Sequence, residues 1–128
     1  MTQENKELLL RDLCARFPYG IKASYYAAEE ERETWDEIEC ITLDGCVDIG
    51  QYGLPIERIK PYLFPLSSMT DEEKEEYCQL QQRIIYDSKG VVNEDVTKYI
   101  NFCYKKHLDI NNLIPIGLAF DATNLNIY

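Results

Sequence analysis

The sequence predicts an α+β fold: an N-terminal helix, a small antiparallel sheet of three to four strands, and two C-terminal helices packed on it. Three observations predict it. Apolar residues recur at steps of three and four near the start of the chain and in two later segments, the 3.6-residue period of a helix with one buried stripe. Between them, from Ile21 onward, apolar and polar residues alternate, the period of a half-buried strand. The strand-like runs follow one another closely in sequence, which favours antiparallel neighbours. The 128 residues suit a single domain spanning 1–128, and at 45% hydrophobic they can fill a core without disulfides.

Over residues 4–17, Leu9, Leu10, Leu13, Cys14 and Phe17 form one face of an amphipathic helix, which Pro18-Tyr19-Gly20 stops. Residues 21–28 place Ile21, Ala23, Tyr25 and Ala27 on one side of a strand and Lys22, Ser24 and Tyr26 on the other, so adjacent Tyr25 and Tyr26 must point to opposite faces. Glu29-Glu30-Glu31-Arg32-Glu33 has no apolar anchor and reads as a solvated connection. A second strand over 35–43 leads into Asp44-Gly45, which favours a type I′ turn with positive φ at both residues, and Cys46-Val47-Asp48-Ile49 returns as its partner. Gly50, Gly53 and Pro55 break the pattern, and residues 56–59 resume it as a short strand or one helical turn. Residues 60–66 read as an extended connector, not a central strand, because Pro61 and Pro65 remove backbone donors.

Thr70 and Glu73 have capping-box spacing, and Asp71 and Glu72 suit the positive end of a helix dipole. That helix is expected to reach about Asp87, with Tyr77, Leu80, Ile84 and Ile85 inward, before Ser88-Lys89-Gly90 ends it. Asn93 can cap a further helix on which Val96, Tyr99, Ile100, Cys103 and His107 share a face, with Lys105 and Lys106 at its negative end. Residues 113–120 are too apolar for a free tail, and only 124–128 are expected to be loose.

The chain carries 13 Lys+Arg against 23 Asp+Glu, a net charge of −10, which disfavours direct binding to nucleic acid or to anionic lipid. The first apolar run, Leu8-Leu9-Leu10, is too short for a signal-peptide core, and no stretch approaches the roughly 18 apolar residues of a membrane span, so a cytoplasmic protein without a membrane partner is expected. Five cysteines at wide spacings with no CxxC read as buried or half-buried thiols, and Cys40/Cys46 lacks the second ligand pair of a zinc site. The only imidazole, His107, falls on the apolar side of a helix end, which reads as a packed or capping histidine, with a Cys–His pair left to geometry. Gly50-Gln51-Tyr52-Gly53 lacks the further glycine and Lys-Ser/Thr of a phosphate loop. No catalytic group, metal ligand or cofactor is assigned.

Three blocks carry a family likeness: Leu13-Cys14-Ala15-Arg16-Phe17-Pro18-Tyr19-Gly20; Ile59-Lys60-Pro61-Tyr62-Leu63-Phe64-Pro65-Leu66-Ser67-Ser68-Met69-Thr70; and His107-Leu108-Asp109 with Leu113-Ile114-Pro115-Ile116-Gly117-Leu118-Ala119. Together they resemble a family of short uncharacterised proteins from gut anaerobes and their phages. The resemblance implies a phage or mobile-element accessory protein acting inside a bacterial cell, and no activity.

Two functions are expected on these grounds. The first is a non-enzymatic protein-binding module using Tyr19, Tyr52, Tyr62 and Phe64, large amphipathic rings in the breaks and the proline-rich connector. The alternative is an acidic inhibitor that mimics nucleic acid through Glu29, Glu30, Glu31, Glu33, Asp71, Glu72 and Glu75; a small Cys/His or acid-pair enzyme ranks third. The charge is concentrated. Residues 29–39 hold seven acids against Arg32 and residues 71–76 hold five against Lys74, leaving the remainder formally neutral. The mimic therefore requires those two segments to share a face.

Overall fold

The computed structural model describes residues 1–86 and 93–128. Thr2 caps the first helix, α1 (Gln3–Arg16), its hydroxyl accepting from Asn5 N at 3.1 Å. The helix buries Leu9, Asp12, Leu13 and Arg16, a stripe at steps of three and four. Cys14 and Phe17, expected on that stripe, are exposed, and so are Cys40 and Cys78, where buried or half-buried thiols were expected; Cys103 is buried and Cys46 half-buried. Two charged residues occupy the stripe instead, and Phe17 opens a 3₁₀ turn (Phe17–Tyr19) that ends at Gly20.

Among the described residues six strands follow: β1 (Lys22–Ala27), β2 (Arg32–Ile41), β3 (Cys46–Ile49), β4 (Tyr52–Pro55), β5 (Lys60–Leu63) and β6 (Phe120–Asp121). They form one sheet in the order β4-β3-β2-β1-β5-β6, antiparallel except for β5 against β6. The sheet is thus larger than the three to four strands expected, and mixed. The β1 alternation holds, with Ala23, Tyr25 and Ala27 buried. Arg32 and Glu33 belong to β2, and the turn before them is confined to residues 28–31. The next hairpin is not type I′. Thr42 N donates to Cys46 O and Gly45 N to Thr42 O, and of Asp44 and Gly45 only Gly45 has positive φ (+88°), so the loop is the three-residue kind that closes on a left-handed glycine.

Residues 60–63, read as a connector, form β5, next to the sheet edge and paired on both sides. Its proline is tolerated for a geometric reason. Leu63 O accepts from Ala122 N at 2.8 Å, so Pro61, two residues earlier, turns its imide nitrogen toward the same side, where the β6 ladder begins only at Tyr62.

The inner face of the sheet packs against α1 and the 113–119 segment: Leu9 and Leu13 meet Ile21, Tyr25, Ile38, Ile49, Ile59 and Leu63, joined by Leu113 and Leu118. The two later helices, α2 (Asp71–Tyr86) and α3 (Asn93–Lys105), pair with each other. Their cluster of Phe102, Cys103, Leu108, Tyr77, Leu80 and Tyr99 is filled by Phe64, Leu66 and Met69 of the connector, a second core beside the sheet's own. The α2 capping box forms as expected, Glu73 N donating to Thr70 Oγ1 at 3.2 Å and Thr70 N to Glu73 Oε1 at 3.0 Å. The Ser88-Lys89-Gly90 stop lies outside the described residues, as do the side chains of Ile85 and Asn93. The 124–128 segment, expected to be loose, is anchored: Ile127 is buried, and the Tyr128 hydroxyl bridges Lys22 N (3.0 Å) and Tyr62 O (2.9 Å).

A buried polar junction ties these parts together. Asp12 and Arg16 have no exposed side-chain surface, and Arg16 Nε meets Asp12 Oδ1 at 2.6 Å. Arg16 Nη2 donates to Leu108 O at 2.7 Å, Asn111 Nδ2 donates to Asp12 Oδ2 at 2.7 Å, and the guanidinium lies 4.9 Å from the Tyr104 ring centroid. Next to it the buried Asp109 carboxylate accepts from Leu113 N (2.8 Å) and Ile114 N (2.9 Å), which starts the 113–119 segment.

Candidate functional site

One face of the sheet packs on the core; side chains of the opposite parity form the other. Residues directly opposite across an antiparallel pair share a face, so Tyr26 stands with Glu33, Ser24 with Trp35 and Lys60, and Lys22 with Glu37, followed by Tyr62 beside Phe120. Of these, Tyr26 is 50% exposed, Trp35 45% and Phe120 40%, high values for rings of this size. The face's lysines are engaged with its own rings. Lys60 Nζ lies 4.6 Å from the Phe120 centroid, while Lys22 Nζ lies 5.4 Å from Trp35 and 5.7 Å from Tyr128 and donates to Ile127 O at 2.8 Å. Tyr62 and Phe120 pack at 5.7 Å. A shallow groove of about 620 Å³ runs along this face toward β6, lined by Ser24, Glu33, Lys60, Tyr62, Phe120 and Leu125 among others.

The four rings expected to form a partner surface are dispersed. Tyr62 lies on the open face. Tyr52 is on the core side, its ring 5.8 Å from Tyr25 and its hydroxyl accepting from Glu29 N. Phe64 packs in the helical cluster and against Tyr128, and Tyr19 is half-buried in the 3₁₀ turn. The sequence set Tyr26 on the face opposite Tyr25 without assigning it to a partner surface, and did not single out Trp35 or Phe120 for one, although period-two parity already sets Trp35 two residues from both Glu33 and Glu37, on the polar side of its strand.

The acidic residues divide as well. Glu29, Glu30 and Glu31 lie in the turn that follows Ala27, at one end of β1. Because β5 is antiparallel to β1, the chain leaves it at the other end, near Lys22, before reaching Asp71, Glu72 and Glu75 on α2. Glu33 alone of the seven points out from the open face. Glu30 is also paired with Arg32 at 2.7 Å.

His107 occupies a capping position. Leu108 N donates to Cys103 O and His107 N to Tyr104 O, a Schellman closure of α3 with His107 in the left-handed residue's place at φ +58°. Its ring stacks on Tyr128 with centroids 3.7 Å apart. Burial, then the charges of Arg16 and Lys22, push its pKa down to about 4, while burial pushes the Cys103 thiol up to about 11. Both shifts favour the neutral forms, the reverse of the thiolate and imidazolium that a Cys–His nucleophile requires. The 320 Å³ cavity at His107 is lined by Phe64, Ser68, Met69, Glu73, Lys106 and Thr123 among others, with no cysteine. Among the described residues, no group of three or more His, Cys, Asp or Glu is placed to hold a metal ion, and no helix is long and apolar enough to cross a membrane. The chain matches no protein-family model, no curated protein and no solved structure.

Proposed function

We propose that this protein is a non-enzymatic binding module that holds another protein against the open face of its sheet. The observation that supports the reading is the exposure of Tyr26, Trp35 and Phe120 together on a single regular surface. Aromatic rings anchored on strands offer large contact area with few torsions to freeze, which is why Trp and Tyr dominate the energetics of protein interfaces. The neighbouring Ser24 leaves room beside Trp35, and the groove toward β6 gives the face relief. The acidic mimic gains no such support, since its two segments leave the sheet from opposite ends. A phage or mobile-element protein working in a bacterial cytoplasm, the setting implied by the three sequence blocks, is compatible with a module of this kind.

Affinity purification from cells that express the protein tests the reading. The wild type is expected to retain a stoichiometric protein partner, and the variant Tyr26→Ser/Trp35→Ser/Phe120→Ser to lose at least about tenfold of it while its circular dichroism spectrum remains that of the folded protein. A partner retained equally by both, or no partner with the wild type, would overturn it.

A further inference from the structure

Resting on that reading, we propose that the partner presents a basic, arginine-bearing segment, and that a guanidinium docks among Tyr26, Trp35, Glu33 and Glu37. Charge complementarity argues for this occupant. Of the net −10, the segment from 29 to 39 contributes six charges, and that segment is the turn beside this face together with most of β2. The resulting field draws in and orients a cationic partner.

The details of the face agree. Its lysines are already committed, Lys22 to Ile127 O and the Trp35 and Tyr128 rings, Lys60 to the Phe120 ring. What stays available is acidic and aromatic, apart from Arg58, which lines the groove together with Glu33. Among the described residues Glu33 and Glu37 make no ion pair, and they alternate with Trp35 along the outward side of β2, roughly 6.6 Å from one another per step of two residues. Tyr26 stands directly across from Glu33 with half of its surface exposed. A planar cation that stacks on one ring can reach a carboxylate to either side, and Arg does this better than Lys because its guanidinium is flat, weakly hydrated and bidentate. The contacts of Lys22 and Lys60 show that rings on this sheet already take up ammonium groups from within the chain.

Trp35 is the chain's only tryptophan, so its fluorescence reports on this face alone. The probes are four synthetic peptides of equal length: alternating Arg-Gly, alternating Lys-Gly, alternating Glu-Gly, and a neutral repeat of Tyr, Ser and Leu. The Arg-Gly peptide is expected to change Trp35 emission saturably, to bind about fivefold or more tighter than Lys-Gly, and to weaken with added salt. Glu33→Gln/Glu37→Gln and Tyr26→Leu should each weaken it about tenfold, whereas Glu72→Gln/Glu75→Gln on α2 should leave it unchanged. Equal binding of Lys-Gly, or binding indifferent to Glu33→Gln/Glu37→Gln, would overturn the proposal. Binding of the neutral peptide without Arg-Gly would overturn it while leaving the binding-face reading intact. Silence of Trp35 toward all four would also overturn it, and the purification experiment then decides the binding-face reading independently.

Discussion

Replacing Arg16 with methionine is expected to destabilise the fold by about 3–5 kcal/mol, the cost of leaving a buried charge unpaired. Asp12 would keep its bond from Asn111 and lose both guanidinium contacts in a site with no exposed side-chain surface, and Leu108 O would lose its donor. Against a total stability of about 5–15 kcal/mol for an ordinary domain, such a loss moves the urea midpoint far to the left. Asp12→Leu should be comparably damaging because it strands the arginine. The double replacement Asp12→Leu/Arg16→Met is expected to be less destabilised than the sum of the two, since it buries no charge. Additive losses would show that the two residues do not act as a pair.

The same junction explains what the three sequence blocks specify. Arg16 of the first donates to Leu108 O of the third; Phe64 of the second pairs with the third through Phe64 N to His107 O and Asp109 N to Phe64 O, each 2.8 Å. Asp109 then caps the start of residues 113–119. The blocks converge on the seam between the sheet's core and the helical core. The exposed rings of Tyr26 and Trp35 lie outside all three, whereas Lys60 and Tyr62 of the second reach the open face.

The second large effect concerns acidity. His107 titrates near 4 in the folded protein against 6.5 ordinarily, so the unfolded chain binds the additional proton first. Its contribution to stability is therefore complete above pH 6.5, is lost as pH falls from 6.5 toward about 4, and changes no further below that. The cause is local: burial against Tyr128, with the Arg16 and Lys22 charges nearby; Glu73 lines the adjoining cavity. His107→Asn keeps a residue that tolerates the left-handed conformation but removes the titration. Urea unfolding of both proteins between pH 7 and pH 4 should show the wild type's advantage shrinking steadily with acidity. Parallel profiles would mean that the imidazole titrates normally and is not enclosed as described.

Local signals were legible where they are local in origin. The Ile21, Ala23, Tyr25, Ala27 alternation fixes a strand and its buried side, Thr70 with Glu73 fixes a helix start, and the spacing of His107 marks a helix end. What escaped depends on partners remote in sequence. Nothing near Lys60 announces that β6 will arrive from residues 120–121 to make β5 an internal strand despite Pro61. Gly53 and Pro55 disguise β4, where the glycine faces Asp48 so closely that a Cβ would come within 3.3 Å of its carboxylate. Nothing next to Arg16 in sequence announces that Leu108 and Tyr104 will close over it. Of the open face only Tyr62 was expected in a partner surface, because large rings in connectors drew the expectation, whereas Tyr26, Trp35 and Phe120 stand on regular strands.

The central claim, that Tyr26, Trp35 and Phe120 mark a surface that holds another protein, is tested most directly by position-specific photocrosslinking in cells. A benzoylphenylalanine placed at the exposed Trp35 site is expected to yield a discrete protein adduct on irradiation, and the same probe at exposed Gln82 on α2 to yield none. No adduct from position 35, or the same adduct from both positions, would contradict it.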